Sequence, residues 1–250
     1  MLKLLPAALI CLLPSGASFA QELTEVPLCD VFTNPGLPGM IKKGRIDKLN
    51  VFDAGPGSYA ASAGLASSFL KPSGKGPRKP ADTPPADYGQ LAKWEEAAVK
   101  YEQHTCRYAP KRAFDQDTKT AWCEGAKGNG ENEILMVPLW ARGANRIEIW
   151  AGYGKSKEIF EANGRPKKVR VYLLSADEFK VHQYGDLLTG IKVVARREVT
   201  LEDKTGYQAI DFPGVPADRK AFRLAAVQIL SVYPGKRYPD TCISEIIAAR

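Results

Sequence analysis

Asp115, Asp117 and Thr120 place three hard oxygen donors within six residues, in the run FDQDTKT. A tight turn rich in carboxylate and hydroxyl oxygens suits calcium, which takes roughly six to eight oxygen ligands. The run is not an EF-hand: counted from Asp115, the sixth position is Thr120 instead of glycine and the twelfth is Ala126 instead of glutamate. On residue types alone, a cation turn and a turn whose aspartates accept hydrogen bonds from their own backbone both stay open.

Other chemistries find less support. A nucleophile needs a base beside it, and the chain has two histidines, His104 and His182, neither in a nucleophile context. There is no G-x-S-x-G and no phosphate-cradling glycine loop, and Gly125–Gly130 (GAKGNG) reads as a hairpin turn. The close carboxylate pairs Asp115/Asp117 and Glu131/Glu133 leave a glycosidase open as an alternative.

The N-terminus carries Lys3, an apolar run from Leu4 to Leu13 and the small-residue end Ser18-Phe19-Ala20, the pattern of a cleaved secretory signal over residues 1–20. Pro6 and Pro14 interrupt the apolar run, which is shorter than the roughly 20 residues of a membrane span. The mature chain is therefore expected to begin near Gln21, without a transmembrane anchor, in the periplasm or outside the cell. Its remaining cysteines, Cys29, Cys106, Cys123 and Cys242, are even in number and suit two disulfides in an oxidising compartment. Four cysteines allow three pairings, and sequence does not choose among them. None is at C-x-x-C spacing, which argues against a zinc site. Loss of Lys3 takes the formal charge from +7 to +6, and the basic residues are dispersed, so no nucleic-acid partner is expected. The cluster KPSGKGPRK at 71–79 reads as a solvated loop.

These residues need a scaffold. Residues 21–42 are Pro/Gly-rich and read as an irregular lead-in, and Arg45–Phe52 reads as a strand. The stretch 72–85 holds five prolines and reads as a loop. Tyr88–Gln103 has Leu91, Trp94, Ala98 and Tyr101 at helical spacing, an amphipathic helix expected to pack on the core. Beyond Cys106, short runs recur between turns: 133–137, 145–151, 168–174, 191–201, 207–212, 221–232 and 243–248. RIEIW and KVRVY alternate cleanly, as strands wet on one face do. That spacing indicates an antiparallel sandwich, with Trp122 and Trp150 expected in its core.

The run AFDQDTKTAWCEG (113–125) resembles the A-x-D-G-D-x-x-T-A-W-x-E-G signature of discoidin-like domains, specifically the NADase-type glycan-binding domain family. Further matches follow in order: 128–134 (GNGENEI), 149–156 (IWAGYGKS), 163–168 (NGRPKK), 231–235 (SVYPG) and 240–246 (DTCISEI). Ala66-Ser67-Ser68-Phe69-Leu70 resembles the family's early A-S-S-x-L strand, which makes 71–104 an insertion into a domain spanning 43–250.

The resemblance implies a mainly β fold, a galactose-binding-like jelly-roll β-sandwich with one N-terminal helical insertion. It also implies a structural calcium held by Asp115, Asp117, Thr120 and Glu245. One departure stands out: Gln116 replaces the glycine between the aspartates, so a positive φ there would carry strain. The function implied is non-catalytic binding of a glycan or other cell-surface ligand through the turns, with Tyr153, Lys155, Asn163, Arg165, Tyr233 and Arg237 as contacts and Lys236 and Tyr238 beside them. The same residues could instead set loop geometry. The alternatives are an enzyme of NAD glycohydrolase type, or a protein-binding or structural module of the envelope.

Overall fold

The computed structural model describes residues 33–49, 51–53, 64–139, 141, 143–182, 185–217 and 222–249. The signal segment, most of the lead-in and Cys29 fall outside these residues. Among them run helix α1 (Leu37–Lys42), strands β1 (Val51–Asp53) and β2 (Leu65–Ala66), helix α2 (Tyr88–Thr105), β3 (Trp122–Cys123), β4 (Ile134–Leu139) and β5 (Arg146–Ala151). Helix α3 (Lys157–Ala162) follows, then β6 (Arg165–His182), β7 (Gly185–Thr200), β8 (Tyr207–Asp211), β9 (Phe222–Tyr233) and β10 (Cys242–Ala248).

The strands form two antiparallel sheets, ordered β1-β7-β6-β9-β4-β2 and β3-β10-β5-β8. Between them lies one apolar core, with Leu135, Val137, Val169, Val171, Leu173, Val227 and Ile229 from the first sheet and Trp122, Ile147, Ile149, Ile210, Ile243 and Ile246 from the second. The alternation of RIEIW is realised: Ile147 and Ile149 are fully buried while Arg146 faces out. Sandwich and strand positions agree with expectation, and β6 is longer because residues 175–182 (SADEFKVH) are carried into the sheet by pairing with β7.

The N-terminal expectations need correction. Residues 37–51 are not an irregular lead-in followed by a strand from Arg45; they form α1, a 3-10 turn at Ile46–Lys48 and the start of β1, which begins only at Val51. Leu37, Ile41, Ile46, Leu49 and Val51 form a second core with Ile134, Met136, Tyr172, Leu174, Leu188 and Leu224. The spacing of Ile46 and Leu49, three residues apart, suits a 3-10 turn better than a pleat. This layer covers the outer face of the six-stranded sheet, which explains why every residue of β4 (ILMVPL) is buried.

Helix α2 is present, but its apolar face does not join the sandwich core. Trp94 and Ala98, with Leu91 and Tyr101, make a separate cluster. The proline-rich segment turns back over that face: the Trp94 indole donates to the Ala81 carbonyl (2.8 Å), and a Cβ on Gly76 would meet the His104 ring at 2.5 Å. Asp87 caps the helix by accepting from the Gln90 amide at 3.0 Å. The segment Gly125–Gly130 is not a hairpin either, because β3 and β4 belong to different sheets and it crosses between them.

Candidate functional site

Strand register gathers five connections at one end of the sandwich. Arg165 pairs with Tyr233, Lys168 with Thr200, Glu245 with Trp150, Trp150 with Tyr207, and Cys242 with Cys123. Segments 67–71, 124–133, 152–164, 201–206 and 234–241 therefore share that end, while the β4–β5 and β8–β9 connections lie at the other.

The Asp115–Thr120 turn packs beside the 152–156 segment, where a Cβ on Gly154 would sit 2.5 Å from the Thr118 carbonyl. Within the turn, the Asp117 amide donates to Asp115 Oδ1 (3.1 Å) and the Lys119 amide to Asp117 Oδ1 (2.9 Å). Thr120 Oγ1 lies 2.9 and 2.8 Å from the two Asp115 oxygens. Gln116 adopts φ +65°, the left-handed conformation that glycine takes freely and other residues take at a cost. Burial pushes the Asp115 carboxyl up, opposed by Thr120, the Asp117 amide and Arg112.

Glu245 faces this turn from β10 because the strand skips a step of alternation. Ile243 and Ile246, three residues apart, both enter the core, leaving Ser244 and Glu245 outside it. Ser244 accepts from the Gly154 amide (2.8 Å). Glu245 is fully buried and both its carboxylate oxygens lack a hydrogen-bond partner. Burial, and next the nearby Asp115 charge, push its pKa up to about 8. The Gln116 and Asp117 amides approach closely enough to oppose this in part, without completing a hydrogen bond. A buried carboxylate with no partner is a costly arrangement that a cation would relieve. Among the described residues, though, no three His, Cys, Asp or Glu side chains already converge as a metal cage.

Trp122 lies in the core as expected and donates to the Ser68 carbonyl (2.9 Å). Trp150 does not: it stands on the outer face of the four-stranded sheet, half-buried between Glu245 and Tyr207 in the cross-strand row. Its ring meets Tyr207 edge-on at 5.2 Å, and its buried Nε1 has no hydrogen-bond partner. Its two core-facing neighbours, Ile149 and Ala151, use the inner positions, so the strand's alternation turns Trp150 outward.

The turn residues divide into two groups. Arg165 is 8% exposed and makes a two-pronged pair with Asp203 (2.9 and 2.7 Å), and its Nη1 donates to the Asn163 and Pro234 carbonyls (2.9 and 3.0 Å). Asn163 is buried and donates to the Ile159 carbonyl at 2.9 Å, closing α3. Tyr153 is half-buried against Tyr108 (6.3 Å), and the Tyr233 hydroxyl donates to the Leu201 carbonyl at 3.0 Å. These four set loop geometry. Lys155 and Arg237 are exposed, and the Arg237 guanidinium lies 5.1 Å over the ring of Tyr238, which is 39% exposed.

Cys123 and Cys242 face each other across β3 and β10 and are joined in a disulfide with Cα atoms 4.0 Å apart. Cys106 is disulfide-bonded as well.

A family model described as NAD glycohydrolase translocation F5/8 type C domain matches residues 87–249. The chain belongs to this family. The F5/8 type C domain shows weaker likeness to solved structures. The family 32 CBM of C. perfringens NanJ in complex with galactose is 19% identical over 56% of this chain and 83% of that one, with a TM-score of 0.36. The lectin domain of lectinolysin complexed with Lewis B antigen is 11% identical over 78% and 93%, with a TM-score of 0.37. An F5/8 type C domain from Bacteroides fragilis is 12% identical over 56% and 79%, with a TM-score of 0.34. No curated protein matches the chain. Among the described residues, no helix of this F5/8 type C domain is long and apolar enough to cross a membrane.

Sequence reasoning missed Glu124, whose role depends on a distant strand. It is fully buried, accepts from the Ala126 and Thr241 amides (2.8 and 3.1 Å) and is covered by Gly130, where a Cβ would fall 2.4 Å from its Cγ. The only local signal was its place in the W-x-E-G run. Ser67 and Ser68 stood in the A-S-S-x-L match without a role; both donate to Glu133, which ties β2 to the start of β4.

Proposed function

We propose that this domain is an exported, non-catalytic carbohydrate-binding module, with a structural calcium in the Asp115–Thr120 turn and a glycan taken at the end of the sandwich where five connections gather. The observation that carries the glycan reading is the Arg237–Tyr238 pair. The backbone of its loop is tied to α3, with the Lys236 amide donating to the Glu161 carbonyl (2.9 Å) and the Arg237 and Tyr238 amides to the Ala162 carbonyl (3.0 and 2.8 Å). Lys236 also pairs with Glu161 at 2.5 Å. The loop is thus held while the Arg237 and Tyr238 side chains project from it. A pre-set aromatic face for a sugar ring beside a guanidinium for its hydroxyl or carboxylate oxygens costs little ordering on binding. Lys155 belongs to the same end and extends the donor set.

The calcium reading rests on the unpartnered, buried Glu245 carboxylate beside the Asp115, Asp117 and Thr120 oxygens. Bound there, the ion would supply charge compensation and hold the turn against β10. The Glu245 side chain, Asp115 and Asp117 would provide the charge, and Thr120 would keep Asp115 oriented.

Glycan-array binding of the purified protein tests the first reading. Signal on the wild type that is lost in Arg237→Ala and Tyr238→Ala, with unchanged thermal stability, supports it; signal that survives both substitutions moves the site elsewhere. Thermal unfolding with calcium and with chelator tests the second. A midpoint raised by calcium and insensitive to it in Asp115→Ala and Glu245→Ala supports the ion. An equal response in the variants and the wild type would leave the turn as a hydrogen-bonded cap.

A further inference from the structure

We propose that Arg223 is the anchor of a carboxylate-binding site at the end of the sandwich opposite the 152–164 and 234–241 loops. Arg223 continues the inward series Ala225, Val227 and Ile229 of β9 at two-residue steps, so its side chain enters between the sheets at their far edge. Its cross-strand neighbours are Leu139 on β4, itself part of the core, and Ser175 on β6. Arg223 is 5% exposed and Ser175 7%.

Almost nothing in the described chain compensates this buried cation. Its Nη2 donates to the Pro216 carbonyl at 3.4 Å, a long contact, and its buried Nε has no partner. No acidic side chain among the described residues pairs with it, and Asp211, at the same end, pairs with Arg146 at 3.5 Å. A guanidinium withdrawn from water and left short of partners is costly, and an apolar side chain of similar volume would serve packing better. Among the described residues the other buried arginine shows the contrast: Arg165 has Asp203 and two carbonyls as partners. What Arg223 lacks is what a carboxylate brings, a planar pair of acceptors matched to the guanidinium fork. Ser175, on the neighbouring strand and the same face, adds a hydroxyl donor. The site is separate from the loop-end glycan reading and does not rest on it.

The test is thermal unfolding of the purified protein at fixed pH and ionic strength, with sodium chloride replaced stepwise by sodium acetate up to about 100 mM. The wild-type midpoint is expected to rise saturably by about 3 °C. Arg223→Met is expected to unfold in chloride at the wild-type midpoint or above it, and to show no acetate response. Absence of a response in the wild type, an equal response in Arg223→Met, or a fall of several degrees for Arg223→Met in chloride overturns the proposal. Asp218→Asn addresses a counter-ion from the chain itself. An unchanged midpoint supports the site; a lowered midpoint together with an acetate response larger than that of the wild type overturns it.

Discussion

Glu124 and Thr241 lie 117 residues apart in sequence and are joined twice: the Thr241 amide donates to the Glu124 carboxylate at 3.1 Å, and the Glu124 amide donates to the Thr241 carbonyl at 3.0 Å. The Thr241 hydroxyl then donates to the Asn129 carbonyl at 2.7 Å. This knot fastens the end of β3 to the start of β10, next to the Cys123–Cys242 disulfide.

Burial pushes the Glu124 carboxyl up to about 7, above its ordinary 4.5, with the two amides opposing and the Asp240 and Glu133 charges adding. The folded state then binds the proton more tightly than the unfolded chain. The stability from this group is present in full below about pH 4.5 and is lost as pH rises through about 7. Glu245 acts in the same sense. Glu198, held near 2 by Lys168 and Arg170, acts in the opposite sense and only below about pH 4.5. In chelator, urea unfolding should show greater stability at pH 5 than at pH 8, and Glu124→Gln should reduce that difference by about 2 kcal/mol. An unchanged difference in the variant would remove Glu124 from the account.

The Cys123–Cys242 bond closes a loop of sequence separation 119. Replacing both cysteines by alanine should lower stability by about 2–5 kcal/mol, a drop on the order of 10 °C in the unfolding midpoint. Both residues are almost fully buried, so dithiothreitol should leave the native protein oxidised until it unfolds. Rapid reduction of the folded protein, read by thiol titration, would contradict that burial.

Arg165 and Arg237 should separate stability from binding. Arg165→Met leaves Asp203 and two carbonyls without their donor and should cost about 2–4 kcal/mol in urea unfolding. Arg237→Ala touches no buried group and should change stability by less than about 0.5 kcal/mol. Equal costs for the two would mean that the buried pair is not a structural tie.

Leu37 is fully buried in the layer that covers the six-stranded sheet. Leu37→Ala should therefore destabilise the domain by about 3 kcal/mol, as core truncations do. A loss under about 0.5 kcal/mol in chemical denaturation would show that residues 37–51 are an appendage and not a layer of the fold.

Local periodicity recorded much of the fold. The alternation of RIEIW and KVRVY marked β5 and the start of β6, because a strand with one wet face must change polarity at every step. The i, i+3 and i+4 spacing of Leu91, Trp94, Ala98 and Tyr101 marked α2 for the analogous reason. The same helix shows where such reading ends: spacing says that a face is buried, not by what, and the cover is the proline-rich segment instead of the sandwich.

The sequence by itself determined the two-sheet β architecture, the helix and the D-x-D-x-x-T turn, since each depends on residues a few positions apart. The positive φ at Gln116 was legible too, from the motif glycine that it replaces. The tertiary structure alone decided which polar groups are taken. Arg165 looks as available in sequence as Arg237, yet Asp203 arrives from a loop 38 residues away and occupies it. Glu245 is buried without a partner because β10 skips one step of alternation, and Trp150 faces outward because its neighbours fill the inner positions. Sheet pairing over more than a hundred residues brings these groups together, and no local pattern records which partner a long-range register will deliver.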